Sequence, residues 1–352
     1  MKKIFIGIDF SKEKFDATAI FAENQFSQCT ETFYQTFTNN RKGFQQFTKW
    51  VSGFSNGASK EEILFCGENT GIYSELISDM LYVEGYTMWL ESALQIKRSM
   101  GIQRIKSDKA DSRAIAEYAM RFQDRLVPYE PLCEDLKDLK DIFMQRAFLV
   151  KQKKALVVRC KEKTSTERKP SKARKLIAAR GTMLINRLNK EIKILDDEMK
   201  RIIEGNADLK KNYDIVTSIK GVALQNASVM LVYTNNFKRF GFNPRKLACY
   251  YGVAPFGKDS GTSVHIRPHT SSYADTQIKA LLSEAALSAI VYCDELKQYY
   301  KRLIERGKKP MVAQNNVKNK LIHIICALVR TGQKYDPNRK AQLALQYAKS
   351  NN

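Results

Sequence analysis

The sequence predicts an α/β domain followed by an all-α remainder, and three observations lead to this fold class. Strand-like runs of apolar and polar residues occur only in roughly the first quarter of the chain. The rest carries apolar residues at helical spacing. The 352 residues, of which 43% are hydrophobic and 27% charged, suffice for about two or three globular domains.

The N-terminal elements, residues 1–130, follow in an order that identifies the sheet. Three strand-like runs separated by short polar links come first, and helices then alternate with two further strands. This is the order of a ribonuclease H-like fold. The expected strands are 4–9, 14–21, 30–37, 62–66 and 86–90, with helices starting after Asn40, at Ile72 and near Ser92.

Residues 131–210 lack a strand pattern and are interpreted as a long helical hairpin, with a break near Pro170. Residues 151–180 contain twelve Lys and Arg residues but only two acidic residues. Of all segments in the sequence, this one is therefore the strongest candidate for binding a polyanion. The alternative is that it forms an ordinary solvated helix face. The candidate nucleic-acid-binding residues here are Lys151, Lys153, Lys154, Lys172, Arg174 and Lys175.

Residues 211–335 predict a third, mostly helical domain, and residues 336–352 a polar tail. Helices are expected near 245–251, 276–293 and 312–331, with an irregular segment from Gly252 to Ser272. Lys220 and Gly221 lie between two helical stretches. They predict either a turn whose backbone meets a nucleic-acid phosphate or an ordinary helix connection.

Charge and cysteine content restrict the partners and the compartment. The chain has 59 Lys and Arg against 37 Asp and Glu, a net charge of +22, which indicates a polyanionic partner. No apolar run reaches the roughly 18 residues of a membrane span, so no membrane partner is expected. The seven cysteines are scattered and never spaced as C-x-x-C, which argues against disulfides and zinc and favours the cytoplasm.

Four acidic residues stand where a sheet and a helix can bring them together. Asp9 ends the first strand and Glu68 the fourth, while Asp108 and Asp111 share a face at a helix start. Carboxylates are the ligands of Mg²⁺ or Mn²⁺, and paired ions stabilise both oxygens of a displaced phosphodiester. The four carboxylates therefore predict a metal site. The alternative is that Asp108 and Asp111 only stabilise the helix start and that Glu68 only pairs with a surface lysine.

These residues resemble the Asp-Glu-Asp-Asp set of the insertion-sequence transposases related to the Piv pilin-gene invertase, the bridge-RNA-guided recombinases. The resemblance covers nearly the whole chain. The sequence departs from it at 267–272, Arg-Pro-His-Thr-Ser-Ser, where the family commonly has Lys-Arg-Gly-Asn. The matching motifs are Gly7-Ile8-Asp9, Glu68-Asn69-Thr70-Gly71, Asp108-Lys109-Ala110-Asp111, Ile219-Lys220-Gly221-Val222, Phe237-Lys238-Arg239-Phe240, the segment 247–255 and Ser260-Gly261.

The resemblance implies a RuvC-like N-terminal domain, a coiled-coil hairpin that assembles the oligomer and holds RNA, and a C-terminal transposase domain. It implies that Ser260 attacks a DNA phosphate and forms a phosphoserine link, while Asp9, Glu68, Asp108 and Asp111 hold Mg²⁺ or Mn²⁺. The implied partners are double-stranded DNA of the element ends and target, a bridge RNA, and further copies of the chain in a dimer or tetramer. A prokaryotic, nucleoid-associated location follows.

Three alternatives remain open from the residues. Ser263 is a competing nucleophile, although the Ser260-Gly261 pair favours Ser260. The protein could be a metal-dependent nuclease or junction resolvase that uses only the four carboxylates, or a non-catalytic nucleic-acid-binding scaffold. Arg267, between His265 and His269, is a further candidate phosphate contact.

Overall fold

The computed structural model describes residues 3–23, 32–55, 57–101, 107–165, 171–260, 264–271 and 273–338. Most of the predicted tail and Ser263 lie outside these residues, as do positions 30 and 31 of the third predicted strand. The chain divides into two compact units, Met1–Pro131 and Leu132–Asn352. Each has its own hydrophobic core.

The N-terminal unit contains a mixed sheet in the order β3-β2-β1-β4-β5, which agrees with the predicted ribonuclease H-like fold. β2 is antiparallel to β1 and β3, whereas β4 and β5 run parallel to β1. The strands are β1 Lys3–Phe10, β2 Lys14–Ala22, β3 Thr32–Thr38, β4 Ile63–Glu68 and β5 Thr87–Glu91, and the helices are α1 Arg41–Ser55, α2 Ile72–Val83, α3 Ala93–Ser99 and α4 Asp108–Arg121.

Both faces of this sheet are covered, which explains why β1 and β2 are apolar almost throughout. On one face, the isoleucines of β1 pack with Phe47 of α1 and Ile77 of α2. On the other, Phe5 packs with Ile115 and Ala119 of α4. Alternation along each strand therefore decides which residues face α4.

Helix α4 touches β1 at Gly7, where no larger residue fits. A Cβ built on Gly7 would lie 2.2 Å from the Ser112 carbonyl oxygen and 2.3 Å from the Ala116 nitrogen. Beside this contact, the Thr18 and Ser112 hydroxyls lie 2.7 Å apart in a buried hydrogen bond. The glycine and the hydroxyl pair together fix the position of α4 along the sheet.

The C-terminal unit is mostly helical, and its core includes residues of α8, α10 and α12. No helix in the described part of the chain is long and apolar enough to cross a membrane. The elements are α5 Glu134–Ser165, α6 Lys172–Gly205, α7 Ala207–Thr217, α8 Leu224–Tyr233, α9 Pro244–Tyr250, β6 Pro255–Ser260, β7 Val264–Thr270, α10 Thr276–Tyr292, α11 Asp294–Glu305 and α12 Pro310–Thr331.

Helices α5 and α6 form an antiparallel pair, joined by an ion pair of 2.5 Å between Arg146 Nε and Asp196 Oδ1. The sequence places them in a domain of their own, 131–210. In the structure, however, the base of the pair belongs to the core of the C-terminal unit, where Leu139, Phe143 and Met199 are buried. The hairpin and the segment after it therefore share one core.

The segment from Gly252 to Ser272, expected to be irregular, contains a two-stranded antiparallel sheet, so that expectation is wrong. Pro255 pairs with Thr270 and Ser260 with Val264. The register is irregular between Phe256 and Lys258, opposite Pro268, because proline has no N–H to donate. The prolines and Gly257 conceal the strand pattern in the sequence.

The Gly7 contact gives a first prediction. Gly7→Ala should lower the free energy of unfolding of the N-terminal unit by about 2 to 3 kcal/mol, because the methyl group overlaps backbone that cannot move freely. The matched control is Gly53→Ala in α1, where nothing lies within 4 Å and alanine should stabilise by about 0.5 to 1 kcal/mol. Chemical denaturation measures both, and equal effects would contradict the packing argument.

Candidate active site

Asp9 and Glu68 stand near the carboxyl ends of two neighbouring parallel strands. Gly7 of β1 is paired with Cys66 of β4, and each acidic residue lies two positions further along its strand. Because side chains alternate between faces, Asp9 and Glu68 share the face that α4 covers. Both are half-buried.

The first turn of α4 brings the other two acidic residues to this place. Ser107 caps the helix by accepting a hydrogen bond of 3.2 Å from the Ala110 backbone nitrogen. Asp108 is exposed and Asp111 half-buried. Since Ser112 is held against Gly7, these residues lie over the end of β1 that carries Asp9.

The electrostatics of Asp9 show that the four carboxylates are close together. Burial and then the charges of Glu68, Asp111 and Asp108, in that order, raise the pKa of Asp9 to about 6. The pKa of Glu68 is also raised, by burial and then by Asp111. The four residues singled out in the sequence therefore form one acidic cluster.

Asp16 is a fifth member that the sequence did not reveal. It lies directly opposite Asp9 in the β1–β2 pair, and its side chain is 4% exposed. Its Oδ1 accepts hydrogen bonds of 2.6 Å from the Tyr34 hydroxyl and 2.5 Å from the Thr36 hydroxyl. Burial acts to raise the pKa of Asp16, but hydrogen bonds from Thr36, Tyr34 and Lys14 outweigh it and lower the pKa.

Lys14 places a positive charge inside this acidic cluster. Its Nζ donates to Asp108 Oδ2 at 2.6 Å and lies 3.2 Å from Asp16 Oδ2. The hydrogen bonds to Asp108 and Asp16 raise the pKa of Lys14. Lys14 thus links β2 to α4 through its ion pair with Asp108, and its second ion pair is with Asp16 of its own strand.

Glu91 is a further carboxylate on the same face and was also missed. It ends β5 and pairs with Glu68 of β4. Its Oε2 accepts a hydrogen bond of 3.2 Å from the Tyr118 hydroxyl of α4. A sequence signal exists, because Glu91 follows a buried strand just as Glu68 does.

The chemistry of the donor set suits a hard divalent cation. Within the described residues, no three His, Cys, Asp or Glu side chains stand close enough together to hold a metal ion as placed. The cluster nevertheless offers only oxygen donors, as Mg²⁺ and Mn²⁺ prefer. The repulsion that raises the pKa of Asp9 is also what a bound cation relieves. The donor atoms of Asp9, Glu68, Asp108 and Asp111 are therefore of the type that such an ion binds, and their role as its ligands stays a prediction.

The predicted nucleophile lies in the C-terminal unit. Ser260 is the last residue of β6, and its pairing with Val264 closes the β6–β7 hairpin. Its competitor Ser263 lies outside the described residues. Arg267, a predicted phosphate contact, belongs to β7.

Gly221 is required by packing. It lies in the turn between α7 and α8 with a φ of +100°, and its Cβ would stand 2.5 Å from the Ala289 nitrogen of α10. Lys220 beside it is exposed. The turn therefore packs tightly on α10, and this packing accounts for the glycine independently of any phosphate contact.

The basic residues of the hairpin lie on the two helix segments nearest its turn. Lys151 and Lys154 of α5 are exposed, as are Lys172 and Lys175 of α6. Lys153 and Arg174 are half-buried. These six residues, the hairpin basic cluster, place a high positive charge on the part of α5 and α6 that lies away from the core.

Comparison with known proteins gives family matches to two segments of this chain. Residues 6–163 match the DEDD transposase domain of the IS110 type, and residues 213–301 match the transposase IS116/IS110/IS902 family. Pilin gene-inverting proteins of Moraxella bovis and Moraxella lacunata are each 25% identical over 340 residues, 96% of this chain and 98% of theirs. An uncharacterized insertion element IS110 protein of Streptomyces coelicolor is 30% identical over 131 residues, 37% of this chain and 32% of its own length.

The raised pKa of Asp9 gives a second prediction. Asp9 titrates near 6 when folded, against 3.8 as the ordinary value, so the folded state holds the proton more tightly. Stability without divalent ions therefore falls as pH rises from about 4 through about 6. Asp9→Asn removes this loss of stability. In the presence of EDTA, the melting temperature of the variant should therefore be higher than that of wild type near pH 8 and close to it near pH 4.

The control for this measurement is Asp124→Asn, an exposed aspartate of the same unit. Its melting temperature relative to wild type should not change with pH. A difference between Asp9→Asn and wild type that is the same at both pH values would show that Asp9 ionises normally.

Proposed function

We propose, for a chain built from the two domains of IS110-family transposases, that it breaks and rejoins DNA strands through a phosphoserine intermediate, guided by a bridge RNA. The observation that carries the proposal is the acidic cluster at the ends of β1 and β4. Its strongly raised Asp9 pKa is typical of a site that recruits a cation.

The carboxylates would act on the phosphodiester of the DNA. Asp9, Glu68, Asp108 and Asp111 would hold Mg²⁺ or Mn²⁺, which when bound supplies charge stabilisation at the phosphate. Gly7 keeps the first turn of α4 over the strand ends, and Asp16, fixed by its hydroxyl donors, holds Lys14 against Asp108. The cluster is therefore preorganised by its own neighbours.

Ser260 would carry the covalent step. Its oxygen forms a bond to phosphorus, the bond from phosphorus to a deoxyribose oxygen breaks, and the leaving oxygen receives a proton. The hydroxyl of another strand later attacks the phosphoserine and releases the serine. Because the link conserves the phosphodiester bond, strands can be rejoined without a nucleotide cofactor. The place of Ser260 at the closing pair of the β6–β7 hairpin supports this role.

The hairpin of α5 and α6 would hold the RNA and assemble the oligomer. The hairpin basic cluster supplies charge for phosphates. Apolar side chains of the same helices are unusually exposed, including Phe148 at 53%, Leu176 at 59% and Met183 at 60%. Exposed apolar residues on long helices are typical of a helix–helix interface with another copy.

A second candidate is a metal-dependent nuclease in which water replaces Ser260. It is favoured by the fact that the whole acidic cluster belongs to the N-terminal unit. The two candidates differ in their products, because a serine nucleophile leaves a protein–DNA adduct and water leaves free ends. This difference is the basis of the decisive experiment.

The third prediction concerns that adduct. With Mg²⁺ and a suicide DNA substrate nicked near the exchange point, wild type should give a band that survives denaturation on a gel. Ser260→Ala should give none, and neither should Asp111→Asn, because a carboxamide binds Mg²⁺ poorly. Both variants should still fold and bind DNA.

Ser263→Ala is the matched control and should form the adduct at the wild-type level. Free ends without adduct in wild type would establish the nuclease. An adduct that persists in Ser260→Ala and disappears in Ser263→Ala would move the nucleophile by three positions. A protein that binds DNA but neither cuts nor forms an adduct under these conditions would be a scaffold.

The fourth prediction concerns the hairpin basic cluster. Replacing its six residues by glutamine should weaken RNA binding and flatten the salt dependence, by about 0.7 in log–log slope for each lost single-strand contact. Titrations at several salt concentrations measure the slope. Glutamine at Lys42 and Lys49 of α1 is the control, and an unchanged slope in the six-fold variant would make the cluster a solvated surface.

A further inference from the structure

Lys318 of α12 is a cation whose surroundings in the described structure contain no counter-charge. Only 8% of the residue is exposed, yet it makes no hydrogen bond or ion pair with any described residue. Burial and then the nearby charge of Lys279 lower its pKa. A lysine so placed destabilises the fold unless an anion joins it.

Lys279 of α10 is the second cation of this place. It is half-buried, and its Nζ donates to Thr270 Oγ1 at 3.1 Å and to the Ser271 carbonyl oxygen at 3.5 Å. Both partners are neutral acceptors, so no described residue balances the charge of Lys279. Thr270 is the last residue of β7 and pairs with Pro255, the first of β6.

The same face of α12 reaches the chain that leads into β6. Asn315, one turn before Lys318, donates from Nδ2 to the Val253 carbonyl oxygen at 2.9 Å. Two lysines therefore lie near the base of the β6–β7 hairpin.

We propose that Lys318 and Lys279 form a phosphate-binding site for the DNA strand that runs along the β6–β7 hairpin to Ser260. Two neighbouring ammonium groups with no carboxylate between them among the described side chains match a phosphodiester, whose oxygens accept several charge-assisted hydrogen bonds. The inference deepens the proposed function and rests on it, because only a recombinase brings a DNA strand to Ser260.

The position of this site specifies which phosphate it binds. Ser260 ends the six-residue strand β6 and Pro255 begins it. At about 3.3 Å per residue, the two ends are separated by about 17 Å. B-form DNA rises about 3.4 Å per nucleotide, so the lysines would hold a phosphate about five nucleotides from the exchange point. They are binding residues and do not touch the reacting atoms.

The fifth prediction uses Lys318→Met, which keeps the length of the side chain and removes its charge. DNA affinity should fall about tenfold, and the log–log salt slope should decrease by about 0.9. The melting temperature should stay equal or rise, because an unbalanced buried charge has been removed. Fluorescence anisotropy with a labelled random-sequence duplex and thermal melting of the full chain measure these effects.

Three further variants sharpen the test. Lys279→Met should also lower the slope by about 0.9, and Lys318→Arg should keep the wild-type slope. Lys301→Met, at an exposed position of α11, should change neither slope nor melting temperature. A lower melting temperature with an unchanged slope in both Lys318→Met and Lys279→Met would make the lysines structural and overturn the proposal.

The same preparations separate this inference from the function on which it rests. The proposed phosphate site is contradicted if wild type forms the serine adduct while both methionine variants keep the wild-type salt dependence of DNA binding. An absent adduct together with reduced slopes would instead reject the serine mechanism and retain the phosphate site. If the methionine variants lose affinity only for an RNA strand of the same sequence, the assignment of the site to DNA is overturned.

Discussion

The close approach of α4 to β1 at Gly7 is the constraint on which the acidic cluster depends. Two cluster members lie on the first turn of α4, and Asp9 lies two residues beyond the glycine on β1. A side chain at position 7 would lift the helix and separate these carboxylates. Since catalytic geometry is sensitive to displacements of about 1 Å, the missing side chain at Gly7 matters as much as the acidic ones.

Much of this cluster could be predicted from sequence because it follows strand ends, which are local features. Asp9 and Glu68 stand where apolar runs stop, and Asp108 and Asp111 where a capped helix starts. Asp16 could not be found this way, since it occupies a strand otherwise almost wholly buried and apolar. Only the β1–β2 register places it beside Asp9, and register depends on the intervening turn rather than on composition.

The C-terminal unit was harder to predict for two reasons. The strands β6 and β7 are short and interrupted by proline and glycine, so their period of two is lost. Lys318 lies in a helix with many apolar residues, where a long charged residue is usually taken as surface. The two units also differ electrostatically: a lysine balances the carboxylates of the first, whereas the buried lysine of the second has no described acidic neighbour.

Lys14 gives the acidic cluster a counter-ion that is part of the polypeptide. The charge of Lys14 offsets part of the repulsion among the carboxylates as the domain folds. Under the proposed function, a divalent cation that binds Asp108 would have to displace this ammonium group. Under the same proposal, the folded protein would stay inert until the cation binds, so that its synthesis and the start of strand breakage would be separate events.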